Sequence, residues 1–223
     1  MLHPPLSLVE VRILGSLAEK AVTTPDNYPL SPSALIAACN QTTSREPVMH
    51  LDEETVTQAV IALRRRSLLR AIQPAGSRVT KYQHLLPDAL NLDAREIAVL
   101  GVLMLRGAQT VGELHARTAR LADFADVSAV EGTLDALLAR EPDALAARLA
   151  RRAGQKEVRY VHLLSGDVAA DDEGEPKVAG GAQAPNEPST RDRVTALEEA
   201  FEALRIEMAA LRSQFTEFRD QFR

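Results

Sequence analysis

A cluster of basic residues is the feature of this sequence with the clearest chemical potential. Arg64, Arg65 and Arg66 end a predicted helix, and Arg78 and Lys81 follow in a predicted β-hairpin. Such a cluster suits the phosphates of nucleic acid, which supply most of a DNA-binding protein's affinity, while exposed polar residues of the helix read base edges. The predicted nucleic-acid-binding residues are Arg45, Thr57, Gln58, Arg64, Arg65, Arg66, Arg78 and Lys81.

The same arginines have a second interpretation. Cations at the C-terminal end of a helix are favoured by the helix dipole, so a solvated helix end needs no ligand to explain them. Glu53 and Glu54 in the first turn of that helix are unfavourable for an approach to phosphates. DNA binding is therefore a hypothesis, and a protein-interaction adaptor without direct DNA readout is the alternative.

Residues suited to catalysis or metal binding are few. Cys39 has apolar neighbours at helical spacing, which predicts a buried core residue rather than a nucleophile. His84 and His162 occupy equivalent places in two copies of one motif, which favours a structural role, and neither has neighbours at zinc-ligand spacing. No glycine-rich phosphate loop is present. We predict no enzyme activity, no cofactor and no metal.

The composition is typical of a soluble globular protein. The chain has 223 residues, of which 45% are hydrophobic and 26% charged. A single cysteine excludes an intramolecular disulfide framework and fits a reducing compartment. No apolar run approaches the ~20 residues that span a bilayer, and no secretory signal is evident. We predict a cytoplasmic protein that does not bind membranes.

The net charge of −5 comes from one short stretch of the chain. Residues 167–190 contain six acidic residues and one basic residue, with few large apolar side chains. Such a segment buries too little surface to offset its ordering entropy, which predicts a disordered acidic linker over 166–190. Because the acidity is confined there, the overall charge does not exclude nucleic acid as a partner.

An internal repeat precedes this linker. Leu6–Leu17 matches Leu92–Leu103, and each copy opens with a capping box, the signature of a helix start. Lys81–Leu86 likewise matches Arg159–Leu164, which pairs two tyrosines and two histidines across the copies. Two end motifs in the same order indicate a duplicated domain of about 80 residues.

Both copies predict the same elements, namely three helices followed by a β-hairpin. This order is that of a winged helix-turn-helix, in which the second and third helices form the helix-turn-helix and the hairpin forms the wing. The predicted fold is mainly α with small β-hairpins. It consists of winged-helix domains at 1–86 and 87–165, the linker, and a C-terminal coiled-coil helix at 191–223.

The C-terminal helix carries an unbroken 3-4 spacing of apolar residues, which is typical of a coiled coil. We predict that it forms a homodimer; the alternative is that it docks back on a winged-helix domain. The predicted oligomerisation residues are Val194, Leu197, Phe201, Leu204, Met208, Leu211, Phe215, Phe218 and Phe222.

Three polar strings in the first copy carry a resemblance to a known family. They are Thr23–Ser31 (TTPDNYPLS), Ala38–Gln41 (ACNQ) and Ser44–Val48 (SREPV). With the second copy, residues 6–164 resemble the YceH family, bacterial proteins of uncharacterised function with tandem winged-helix domains. The resemblance implies the fold, and it supports DNA binding only by analogy of fold. A dimeric DNA-binding protein, of transcriptional-regulator type, is the function we predict.

Overall fold

Three helices and an antiparallel hairpin occur twice in the computed structural model, which describes residues 4–73, 79–150 and 157–166. The first repeat comprises α1 (Leu8–Thr23), a 3-10 turn (Pro25–Asn27), α2 (Pro32–Cys39), α3 (Glu53–Arg65), β1 (Leu69–Ile72) and β2 (Lys81–His84). A short helix, α4 (Leu86–Leu90), leads to the second repeat. That repeat comprises α5 (Ala94–Arg106), α6 (Val111–Thr118), α7 (Val127–Leu138), β3 (Ala146–Arg148) and β4 (Tyr160–His162).

Both first helices begin at the capping boxes that the sequence predicts. The Ser7 hydroxyl accepts from the Glu10 backbone N–H at 3.2 Å, and the Glu10 carboxylate accepts from the Ser7 N–H at 2.8 Å. Asp93 and Glu96 form the same reciprocal pair at the start of α5. These bonds satisfy amide donors that have no partner within the helix, and so fix where each repeat begins.

Each hairpin is extended by one residue that precedes the second helix of its repeat. Leu30 exchanges both backbone hydrogen bonds with Tyr82 in β2, and Gln109 does the same with Tyr160 in β4. The two tyrosines that the sequence pairs therefore lie on corresponding strands and bond to corresponding residues. His84 and His162 likewise end β2 and β4.

The repeats pack against each other along α1 and α5. Their apolar residues form one continuous core, and all described residues belong to one compact unit. Gly15 of α1 allows this approach, since a Cβ added there would lie 2.9 Å from Cγ of Leu105 and 3.1 Å from Cβ of Met104. Gly101, its counterpart in α5, is less crowded, because its added Cβ would lie 3.9 Å from Cβ of Ala18.

These two glycines provide a matched pair of variants. Alanine favours a helix interior over glycine by about 1 kcal/mol, so Gly101→Ala, which has room, should raise the free energy of unfolding by up to about that amount. Gly15→Ala gains the same propensity but overpacks the helix contact, which typically costs about 1–3 kcal/mol, so it should lower stability. Urea unfolding of the two variants checks this. Equal stabilisation of both would mean that α1 and α5 are not in close contact.

The structure differs from the sequence-based prediction in its details. Helix α4 was not predicted. The sequence predicts an extended piece over 145–151 in the second repeat, whereas β3 spans Ala146–Arg148. The predicted linker at 166–190 lies almost wholly outside the described residues, and the coiled coil at 191–223 lies wholly outside them. Within the described part of the chain, no helix is long and apolar enough to cross a membrane.

Candidate functional site

The outward face of α3 carries most of the residues that the sequence predicts for nucleic acid. Thr57, Gln58, Arg64 and Arg65 are exposed, and Ile61 between them is half-buried. Their spacing places them on one side of the helix. The opposite side packs into the core through its buried apolar residues Val56, Val60 and Leu63. The core therefore fixes the direction in which this polar face points.

A basic groove lies between the end of α3 and the hairpin. Its volume is about 560 Å³, and its lining residues are Ile61, Arg64, Arg65, Ser67, Leu69, Arg70, Ala71 and Leu85. Three of these are arginines and none is acidic. Arg70 reaches the groove from β1. With the Gln83 amide oriented so that its oxygen faces Arg70, the Nη2 of Arg70 donates to that oxygen across the hairpin at 2.9 Å. We call this the α3 groove.

Arg64 and Arg65 are available to a ligand. Neither guanidinium has a hydrogen bond or an ion pair to another residue of the described ranges. A guanidinium presents five donors in a planar fork that matches a phosphate or carboxylate. The α3 groove is therefore a surface suited to anions.

Arg66 serves a different purpose from its two neighbours. Its Nη2 donates to the Pro4 carbonyl oxygen at 2.6 Å, which ties the end of α3 to the segment before α1. Arg140 is its counterpart in the second repeat and donates to the carbonyl oxygens of Leu90 and Asn91, before α5. The duplicated bond assigns Arg66 to the repeat's own framework rather than to the groove. The 74-residue offset that matches Arg66 with Arg140 is a sequence signal for this role.

The prediction for Arg45 was wrong. Its side chain is fully buried, with 0% exposure, so it cannot reach a phosphate. Its Nη2 lies 2.7 Å from Oε2 of Glu19, which is itself only 3% exposed, and its Nε donates to the Ala38 carbonyl oxygen at 3.0 Å. The sequence shows Arg45 only as part of a polar loop. It does not show that the Glu19 carboxylate of α1 lies against this loop.

This buried pair extends into the second repeat. Arg120 also binds the Glu19 carboxylate, and its side chain is 55% exposed. The Ser44 hydroxyl accepts from Arg106 at 2.8 Å and from Arg120 at 3.2 Å. Burial, followed by the charges of Arg117 and Arg120, lowers the pKa of Arg106 below its usual value. We call Glu19, Arg45, Ser44, Arg106 and Arg120 the inter-repeat cluster; sequence analysis did not find it.

The corresponding face of the second repeat has the opposite character. The positions matching Thr57, Gln58, Ile61, Arg64 and Arg65 are Glu131, Gly132, Asp135, Leu138 and Ala139. Glu131 and Asp135 are exposed on α7. A third helix without counterparts of Arg64 and Arg65 therefore forms at the same place in the second repeat. These two arginines of α3, unlike Arg66, are consequently not a requirement of this fold.

The buried cysteine and the two half-buried matched histidines are in neutral form. Burial raises the pKa of the Cys39 thiol to about 11, so it is protonated at neutral pH. Burial also lowers the pKa of His84 and of His162 to about 4. The His84 Nδ1 accepts from the Leu86 backbone N–H at 3.3 Å. In the described ranges, no three His, Cys, Asp or Glu side chains are grouped so as to hold a metal ion.

The remaining predicted residues divide into two groups. Lys81 is half-buried in β2, opposite Ile72 of β1. Arg78 lies outside the described residues, as do all nine predicted oligomerisation residues from Val194 to Phe222.

Comparison with known proteins identifies the family. The sequence pattern of a family described as "Protein of unknown function, DUF480" matches residues 6–155. This chain belongs to the DUF480 family. The match spans both repeats as far as β3, and so includes all residues of the α3 groove and of the inter-repeat cluster.

Relatives of this DUF480 chain occur in several bacteria and match it over nearly its whole length. A UPF0502 protein of Azoarcus sp. (strain BH72) is 46% identical over 97% of this chain and 94% of the relative. A UPF0502 protein of Pelobacter propionicus is 46% identical over 97% of this chain and 98% of the relative. A third, from Opitutus terrae, is 47% identical over 91% and 84% of the two chains.

Proposed function

We propose that this protein binds double-stranded DNA in the cytoplasm through its first repeat. In this proposal each repeat is a winged helix-turn-helix, as the resemblance to the YceH family implies. Helix α3 enters the major groove, which is wide enough to admit an α-helix. The hairpin β1–β2 acts as the wing on the adjacent backbone. No catalytic step and no cofactor are assigned to the protein.

The difference in charge between the two repeats is the observation that carries the proposal. The helix dipole favours arginines at the end of any helix, yet α7 ends in Leu138 and Ala139 where α3 ends in Arg64 and Arg65. The two helices occupy corresponding places, so the fold alone does not explain the arginines. Their guanidiniums, which have no partner among the described residues, support a role in anion binding together with Arg70 across the groove.

The middle and the end of α3 suit different contacts with DNA. Thr57 and Gln58 are exposed near the middle of the helix, where their hydroxyl and amide groups can hydrogen-bond base edges. Arg64 and Arg65 lie two turns further on, where they can contact phosphates and fix the register of the helix. Arg70 adds a third phosphate contact from the hairpin.

A salt titration of DNA binding tests the proposal. Three phosphate contacts should release counterions with a slope of about −2.7 in log K against log salt, so affinity for a random-sequence duplex should fall about 40-fold between 50 and 200 mM salt. A mobility shift of the full chain measures this. Absence of binding at 50 mM salt, or binding that salt does not weaken, would overturn the proposal.

The acidic face of α7 supports a second candidate function. Glu131 and Asp135 are exposed on the helix that corresponds to α3, where they would repel a phosphate backbone. This face suits a partner protein with a basic surface. In this alternative the chain is an adaptor, and a pulldown from the native cell would recover a protein whose capture depends on Glu131 and Asp135 but not on Arg64 and Arg65.

We propose, further, that the chain is a homodimer through residues 191–223. Removing this segment should then give a folded monomer, because the nine apolar seam residues are lost while both repeats remain. Two first repeats in one dimer would engage one duplex together, so the truncated chain should bind DNA more weakly. Light scattering of the full and truncated chains measures the mass. The same number of chains per particle in both would contradict dimerisation by this segment.

A further inference from the structure

The chain leaves the second repeat close to the basic end of α3. The Leu6 backbone N–H donates to the Leu164 carbonyl oxygen at 2.9 Å, and a Cβ added to Gly166 would lie 3.4 Å from Cγ of Pro5. The neighbouring Pro4 accepts the bond from Arg66 at the end of α3. A path from Gly166 through Pro5 and Pro4, and then along the Arg66 side chain to the end of α3, is about 20 Å long. Gly166 therefore lies within about 20 Å of the α3 groove.

The residues that follow Gly166 carry charge opposite to that of the groove. Residues 167–175 contain five acidic residues and no basic residue: Asp167, Asp171, Asp172, Glu173 and Glu175. Nine residues can span at most about 30 Å, which exceeds the distance to the groove. The groove itself offers the guanidiniums of Arg64 and Arg65, which have no partner in the described ranges, and no acidic residue of those ranges lines it.

We propose that the acidic stretch 167–175 binds the α3 groove of its own chain and competes there with nucleic acid. The inference rests on the proposed function for its consequence, but the binding itself requires only the groove and the acidic stretch. Because the stretch is tethered beside the groove, its effective concentration is in the millimolar range, and weak ion pairs suffice to occupy the site. Only a duplex that binds the groove more strongly than the acidic stretch does then displaces it.

A charge-matched pair of full-length variants tests the proposal. The first variant is Asp171→Asn, Asp172→Asn, Glu173→Gln, which removes three charges from the stretch. The control is Asp88→Asn, Asp123→Asn, Glu141→Gln, which removes three exposed charges that lie outside the acidic stretch, the α3 groove and α7. Affinity for a random-sequence duplex should rise about five- to tenfold in the first variant at 50 mM salt. The difference between the first variant and the wild type should shrink at 200 mM salt, because screening weakens the intrachain pairs.

Two measurements keep the failure of this inference separate from the failure of DNA binding. If both variants bind the duplex equally tightly, the acidic stretch does not compete and the inference is wrong, although DNA binding stands. The second measurement uses no DNA: the NMR shifts of the Arg64 and Arg65 Nε–Hε groups should differ between the wild type and the first variant, but not between the wild type and the control. Unchanged shifts in the first variant would also overturn the inference.

Discussion

Replacing Glu19 with alanine should lower the free energy of unfolding by about 3–5 kcal/mol, the usual cost of removing one partner of a buried ion pair. The substitution leaves the Arg45 guanidinium, which is fully buried, without its carboxylate 2.7 Å away. It also releases Arg120 and so weakens the contact between the repeats. Urea unfolding, monitored by circular dichroism, measures the loss.

Two further variants establish the cause of this loss. Arg120→Ala removes the exposed partner of the same carboxylate, and it should cost no more than about 1 kcal/mol because solvent screens that pair. Arg45→Met combined with Glu19→Ala should be more stable than Glu19→Ala alone, since no unpaired charge then remains buried. A cost below about 1 kcal/mol for Glu19→Ala would show that the Glu19–Arg45 pair does not hold the loop between α2 and α3 in place.

Replacing both Arg64 and Arg65 with alanine should weaken DNA binding roughly 10- to 100-fold at 100 mM salt. Each arginine accounts for one phosphate contact, so the slope of log K against log salt should become shallower by about 1.8. Both side chains are exposed and have no partner in the described ranges, so stability should change little. Mobility shifts at several salt concentrations give the slope.

Arg66→Ala is the control for Arg64→Ala and Arg65→Ala taken singly, because each of the three substitutions removes one charge from the same end of α3. Its guanidinium bonds the Pro4 carbonyl oxygen, so this variant should lose stability and change the salt slope less than either neighbouring arginine does. An equal change of slope for all three arginines would mean that charge near α3, rather than the geometry of the groove, determines binding.

Much of the fold follows from local signals in the sequence. The capping boxes at Ser7 and Asp93 locate two helix starts, because a capping residue and its glutamate satisfy each other within one turn. The paired Tyr82 and Tyr160 likewise locate two corresponding strands. Such features depend on neighbours a few residues away, or on the comparison of one repeat with the other.

The candidate site was only partly predictable. The face of α3 follows from helical spacing, and so does the exposure of Thr57 and Gln58. The burial of Arg45 does not, because it depends on Glu19, which is 26 residues away and reaches it only after α1 has packed. Arg70 follows α3 closely in the sequence, but its place in the groove depends on the register of the hairpin, which brings it to the end of α3.

The contact between Leu6 and Leu164 brings the start of the first repeat beside the end of the second. Where the first repeat passes into the second, the Leu92 backbone N–H bonds the Pro87 carbonyl oxygen at 3.1 Å; where the second ends, the Leu6 N–H bonds the Leu164 carbonyl oxygen at 2.9 Å. One junction is covalent and the other is not, yet both are held by similar hydrogen bonds. The two repeats are thus adjacent at both of their ends, and the chain passes through only one of the two junctions. A circular permutant of residues 4–166 that joins Gly166 to Pro4 through a short linker and opens the chain after Leu90 should therefore keep both repeats and the packing of α1 against α5.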